Sequence, residues 1–122
     1  MRAVNSLENL NIPIRYQMYI RKYLQNISTI PYISRVILFG SCAREKVAEH
    51  SDIDLFITTN RDITEDEEAI ITFYCIPEYS EGSLPTDIIV QSETDFRNYA
   101  DMTSMVQKQV VKEGVDISGL LH

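Results

Sequence analysis

The chain has no tryptophan, two cysteines, four glycines and four prolines in 122 residues. Cys42 and Cys75 are too few for a disulfide scaffold, and no C-x-x-C pair offers the thiolate spacing of a zinc site. No repeat, low-complexity tract or Pro/Gly/Ser-rich linker divides the sequence. Apolar runs stay far below the ~18 residues of a membrane-spanning helix. The opening segment, MRAVNSLENLNIPIRYQ, has no apolar core of a secretion signal. Basic charge is scarce: 11 Lys and Arg stand against 18 Asp and Glu, a net charge of −7. Sequence-independent nucleic-acid binding draws its free energy from counterions released by a basic footprint, so this balance argues against it. Together these absences predict a cytoplasmic protein away from membranes and without direct nucleic-acid contacts.

About 44% of residues are hydrophobic and 24% charged, the balance of a globular domain. At this length roughly 65–70% of the unfolded surface is buried on folding, enough for a core without disulfides or a structural metal. One domain over residues 1–122 is expected. Charge is unevenly placed. Residues 1–46 carry seven Lys and Arg against two Glu, whereas residues 47–122 carry four against sixteen acids. The basic first third either faces an anionic ligand or lies against the acidic remainder.

Tyr16, Ile20, Tyr23, Leu24 and Ile27 fall on one face of a helix expected over about 14–28, with Pro13 near its start and Pro31 beyond its end. Arg35–Phe39 is short, apolar and partly β-branched, a buried strand, and Cys42–Glu49 has room for one or two helical turns. Asp52–Thr58 reads as a second strand. Thr64-Glu65-Asp66-Glu67 is a capping box for a helix reaching Tyr74 or Cys75, and its acidic first turn suits the helix dipole. A loop at 77–85 precedes a third strand, Asp87–Val90. Met102, Met105, Val106 and Val110 form a last helical stripe closed by Gly114, and Val115–Ile117 adds a short edge strand. The order α-β-α-β-α-β-α predicts an α/β or α+β sandwich around a small sheet.

Three carboxylates stand out. Asp52 and Asp54 are two apart, so on one strand both leave the same face. Asp87 opens an apolar strand, a setting that demands water or a partner. If the three meet, their repulsion is large: two charges 4 Å apart repel by about 4 kcal/mol at an effective dielectric near 20. A divalent cation reverses the sign, and all-oxygen ligands suit Mg²⁺ or Mn²⁺ rather than zinc. Gly40-Ser41, between a strand and a helix, can aim free amides and a hydroxyl at a phosphate, with Arg44 and Lys46 adding positive charge. Each element alone also has a plainer reading. A D-x-D pair can be a strand-edge pair, Gly-Ser an ordinary turn, Asp87 a solvated strand end and Arg44 a surface ion-pair partner.

The conjunction is more specific. Leu38-Phe39-Gly40-Ser41, ten residues, then Asp52-Ile53-Asp54-Leu55 resembles the signature of the minimal nucleotidyltransferases of the DNA polymerase beta-like superfamily. Arg44 matches a frequently basic position of that signature. Asp87, within Thr86-Asp87-Ile88-Ile89-Val90, matches the third carboxylate, and Val111–Val115 resembles the closing helix and strand. The resemblance spans about residues 33–115. Two departures stand out: Glu45 occupies a position that is often glycine, and Glu49-His50-Ser51 lacks the proline often found before Asp-x-Asp.

The resemblance implies a small mixed sheet flanked by helices and a reaction in which an acceptor hydroxyl attacks the α-phosphate of a nucleoside triphosphate. Asp52 and Asp54 would hold two Mg²⁺ ions, with Mn²⁺ an alternative. Asp87 would bind the metal nearer the acceptor and take its proton. Gly40, Ser41 and Arg44 would grip the triphosphate. Small stand-alone members are commonly encoded with a helical HEPN-type protein, often an RNase, and act as its antitoxin, some by attaching AMP to a tyrosine. This implies ATP as donor, such a partner, and a homo- or hetero-oligomer. A non-catalytic subunit that neutralises its partner by contact, and a transferase acting on small cations of the aminoglycoside kind, remain open. His50 and Cys42 lie beside the motif without an evident base–orienter pair. Tyr16 and Tyr23 read as packing residues, Cys75 as core and His122 as terminal. Tyr16, Met18, Tyr19, Arg15, Arg21 and Lys22 also form a possible partner surface.

Overall fold

The segments expected to be strands pair with one another into a single sheet. The computed structural model describes residues 1–77, 84–99 and 106–121. β1 (Arg2–Ala3) is followed by α1 (Ile14–Ile27), β2 (Ile33–Phe39), the short α2 (Gly40–Ala43) and β3 (Ile53–Thr59). Next come α3 (Glu65–Ala69), continued by a π-helical stretch at Ile70–Tyr74, then β4 (Thr86–Ser92), α4 (Glu93–Tyr99), α5 (Val106–Glu113) and β5 (Val115–Asp116). The sheet order is β1-β5-β2-β3-β4. β2 is antiparallel to β3 and to β5, whereas β1–β5 and β3–β4 are parallel. The fold is thus a mixed α/β sheet flanked by helices, as expected.

Alternation along the strands divides the core in two. Val36, Leu38, Ile53, Leu55 and Ile57 face the large cluster under α1, where Tyr16, Ile20, Tyr23, Leu24 and Ile27 are buried. Ile37, Phe39 and Phe56 face a smaller cluster with Phe96 of α4 and Val110 of α5. On this thinner side α4 is tied down by polar contacts. Arg35 donates twice to the Glu93 carboxylate (2.7 and 2.9 Å), the Thr58 hydroxyl donates to it at 2.6 Å, and Arg35 lies over the Phe96 ring. At the head of α3 the capping box forms, with Glu67 also gripped by Arg61 at 2.7 Å. These donors hold the Glu67 carboxyl down at about 2.

Several expectations are corrected. The chain's first residues make a strand, so β5 is paired on both sides and is not an edge. A helix not foreseen, α4, follows β4 directly. The short helix begins at Gly40 itself and ends at Ala43, earlier than 42–49. Cys75 is half-buried at the margin of the main cluster rather than inside it. Tyr16 and Tyr19 are buried, so they form no partner surface, while Met18 is exposed. Met102, Met105, His122 and most of the expected 77–85 loop lie outside the described residues. Among the described residues no helix is long and apolar enough to cross a membrane.

Gly114 ends α5 with its amide donating to the Val110 carbonyl (2.7 Å), and a Cβ there would collide with that carbonyl and the Ile37 side chain. Gly114→Ala therefore forces α5 off β2 and should cost about 1–3 kcal/mol. The melting temperature should fall by roughly 4–10 °C in a circular-dichroism melt. Gly119→Ala, whose Cβ would meet only the Asn5 side-chain oxygen at 3.1 Å, should lower it far less.

Candidate active site

Strand register decides which carboxylates meet. Phe39 of β2 pairs with Asp54 of β3, and Asp54 pairs with Asp87 of β4. Neighbouring strands lie about 4.8 Å apart, so Asp54 and Asp87 are adjacent along one row. Both are on the face that carries α4 and α5, since Asp54 alternates with Phe56 and Thr58, and Asp87 with Ile89 and Gln91. Asp52 lies one residue ahead of β3 and is exposed, as is Asp87, while Asp54 is half-buried.

Asp54 is the stressed member. Burial, then the Asp87 charge, then the Asp52 charge push its carboxyl above the ordinary range, and the nearby Arg44 only partly opposes them. Among the described residues it has no hydrogen-bond donor or contacting ion-pair partner. Gly40 packs directly against it. The φ of Gly40 is +71°, a left-handed conformation, and a Cβ there would collide with Asp54 Oδ2. Glycine is thus required twice at this position, by its own backbone and by the carboxylate that approaches it.

Gly40 and Ser41 begin α2, and no side chain caps that start. Their carbonyls, with that of Cys42, are taken by the amides of Arg44, Lys46 and Glu45. Arg44 is bound to Glu113 at the end of α5 (3.1 Å), and Arg35 to Glu93. These two basic residues of the first third therefore lie against the acidic remainder. Lys46 and His50 are exposed. Cys42 is fully buried and its thiol is pushed up to about 11 by burial and then by the Asp54 charge, so it is no nucleophile at neutral pH. It donates instead to the Asp52 carbonyl, with Sγ at 3.8 Å.

Both sequence departures have a local remedy. Glu45 adopts φ +57°, the conformation that glycine would take without cost. Its carboxylate compensates by accepting from the Asn11 amide (3.0 Å) and from Arg2 (3.3 Å), which ties the N-terminal segment to the site loop. In place of proline, Ser51 closes the turn before Asp52. Its amide donates to the Ala48 carbonyl, and the Ala48 amide donates to its hydroxyl (2.7 Å). Sequence reasoning passed over Ser51, for which the hydroxyl at a turn was the available signal, and Glu113, for which there was none.

Among the described residues no three carboxylate, imidazole or thiol groups are gathered tightly enough to hold a metal ion as they stand. The structure brings Asp54 and Asp87 together and leaves Asp52 at the head of the strand, short of the closed trio expected. The donor set still fits a hard divalent cation: its ligands are all oxygen, and Asp54 lacks a positive neighbour strong enough to offset burial and two like charges.

The family model for polymerase beta nucleotidyltransferases matches residues 19–119 of this chain. The chain belongs to that family, a family of transferases that typically use divalent metals. No curated protein matches it. Among solved structures it is similar to a Sulfolobus solfataricus protein that bears a provisional nucleotidyltransferase name. Identity is 23%, the match covers 70% of this chain and 74% of that one, and the TM-score is 0.47.

Because the folded pKa of Asp54 is raised above its unfolded value, the folded state binds more protons between the two. Stability therefore falls as pH rises through that window, and the cost persists at pH 7. Asp54→Asn should stabilise the metal-free chain at pH 7 by on the order of 1 kcal/mol or less, given solvent screening of a half-buried charge. That corresponds to a melting temperature up to about 4 °C higher, and the gain should vanish as pH drops below 4.

Proposed function

We propose that the chain transfers AMP from ATP to a hydroxyl on a partner protein, and that the partner is a helical HEPN-type toxin silenced by the transfer. The observation that carries the chemistry is the pairing of Asp54 with Asp87 on parallel strands, at the end of the sheet where Gly40 and Ser41 open α2. Asp52, Asp54 and Asp87 would hold Mg²⁺, two ions, with Mn²⁺ able to replace it. When bound, the metal neutralises triphosphate charge and polarises the α-phosphate. Gly40 and Ser41 present amides and a hydroxyl to the β- and γ-phosphates, and Arg44 turns from Glu113 toward them. The acceptor oxygen bonds to the α-phosphorus as the α–β bridging bond breaks. Pyrophosphate leaves, and the acceptor's proton passes to Asp87. Most of the catalytic effect comes from positioning and charge neutralisation. A cytoplasmic setting, where ATP is abundant, belongs to the same reading.

A protein partner is supported by a surface patch on the α1 side of the sheet. Ile70, Phe73 and Tyr74 of the π-helical stretch are 41%, 72% and 75% exposed, and the Phe73 and Tyr74 rings meet edge to face. Exposed Glu65, Asp66 and Glu68 flank them one turn earlier. An apolar patch with an acidic border suits a basic, apolar protein surface. A contact-only neutraliser is the second reading, and the Arg44–Glu113 pair together with the open carboxylates favours it.

Incubation with α-labelled ATP, Mg²⁺ and co-purifying proteins separates the readings. Label should appear on a helical partner and fall more than about 100-fold in Asp52→Ala or Asp54→Ala. Tight partner binding without transfer, equal in wild type and both variants, would establish the contact-only subunit. Label on a small cationic compound would move the acceptor from protein to metabolite.

A further inference from the structure

Helix α1 packs on the face of the sheet opposite Asp54 and Asp87, and its inner side is a column of three tyrosines. Tyr16, Tyr19 and Tyr23 are each 1% exposed or less. Phenylalanine would fill the same space, but a buried phenol must also place its hydroxyl. The Tyr16 hydroxyl donates to the Ser51 carbonyl at 2.7 Å, and Ser51 immediately precedes Asp52. The Tyr19 and Thr86 hydroxyls are hydrogen-bonded at 2.9 Å, and Thr86 immediately precedes Asp87. Tyr23 donates to the Ile71 carbonyl at 2.7 Å, on the π-helical stretch, which bears no site carboxylate. Two of the three phenols thus end on the residues just before the two outer carboxylates. Asp54, between them, is already pinned by strand register on both sides.

We propose that Tyr16 and Tyr19 are positioning residues. From behind the sheet they set the heads of β3 and β4, and so the spacing at which Asp52 and Asp87 flank Asp54. The proposal rests on the nucleotidyl-transfer reading for what those carboxylates hold, but the positioning itself is a property of the fold. Tyr16 acts on the turn together with Arg15, which donates to the Glu49 carbonyl at 3.0 Å, and with the Ser51 hydroxyl. Tyr19 acts through a side chain on the far face of β4. The column therefore couples one buried helix face to both strand heads. Groups that orient metal ligands from behind typically change affinity 10- to 100-fold when lost.

The test uses the full chain with Tyr16→Phe, Tyr19→Phe and Thr86→Val, and Tyr23→Phe as the control, which loses a more deeply buried hydroxyl from the same helix. Mn²⁺ uptake in the presence of ATP is followed by electron paramagnetic resonance, and backbone hydrogen exchange is read at residues 52–54 and 86–88. Loss of the Tyr16 or Tyr19 hydroxyl should weaken Mn²⁺ uptake by about 10-fold or more. Exchange should quicken at 52–54 in Tyr16→Phe and at 86–88 in Tyr19→Phe and Thr86→Val. Tyr23→Phe should lower the melting temperature at least as much and leave Mn²⁺ uptake and both strand heads unchanged. Equal Mn²⁺ uptake in all four variants, or the same exchange pattern in Tyr23→Phe as in the others, would overturn the proposal. A wild-type chain that takes up neither Mn²⁺ nor ATP refutes the nucleotidyl-transfer reading instead. The exchange pattern then decides the positioning role alone, local opening supporting it and uniform opening overturning it.

Discussion

Two parallel strands place Asp54 and Asp87 in register, and the repulsion between those carboxylates is the constraint around which this end of the molecule is arranged. Among the described residues nothing relieves it fully. Arg44 is near enough to favour the ionised form of Asp54 but is held by Glu113, and the backbone of Gly40 closes on the carboxylate from the other side. A folded chain that keeps an unrelieved charge on a half-buried carboxylate spends stability there. Such a cost is commonly found where a ligand supplies the missing opposite charge.

The burden of holding that arrangement falls on the opposite face. Among the described residues, the cluster under α4 and α5 has five buried members and the cluster under α1 has twenty. The larger cluster's tyrosine hydroxyls reach the turn and strand heads that precede Asp52 and Asp87. The thin side leaves the carboxylates accessible. The Arg35–Glu93–Thr58 network keeps α4 on the sheet where apolar area alone is small. Among the described residues the carboxylates thus stand at the edge of the smaller cluster, with the larger one behind the sheet.

Much of this could be read from residue order. The helix over 14–27, the strand ending at Phe39, the capping box at Thr64 and the Gly40-to-Asp54 spacing each rest on local chemistry that the fold does not override. What escaped was non-local. Arg2–Ala3 is too short to show a period and becomes a strand only because β5 offers it an edge. The helix at Glu93–Tyr99 has only one buried residue, Phe96, so its apolar stripe is nearly absent, and it is held by an ion pair 58 residues away in sequence. The relation of Asp87 to Asp54 was assignable by position alone, because strand register depends on pairing that periodicity does not encode. The left-handed backbone at Glu45 was legible only as a missing glycine; the two bonds that offset it join residues 34 and 43 positions apart.

Arg44 shows how a plain reading and a functional one can hold together. Its bond to Glu113 is a surface ion pair, with both side chains more than 30% exposed. Such pairs are worth at most about 1 kcal/mol. A triphosphate tail brings several negative charges and acceptor oxygens, and charge-assisted bonds to phosphate are among the strongest that a guanidinium makes. On the proposed reading, exchange of Glu113 for phosphate would therefore replace a weak surface pair by a stronger charge-assisted one. Arg44 is shared between Glu113 and the field of Asp54, and on the proposed reading a bound triphosphate would offer the same side chain a better partner.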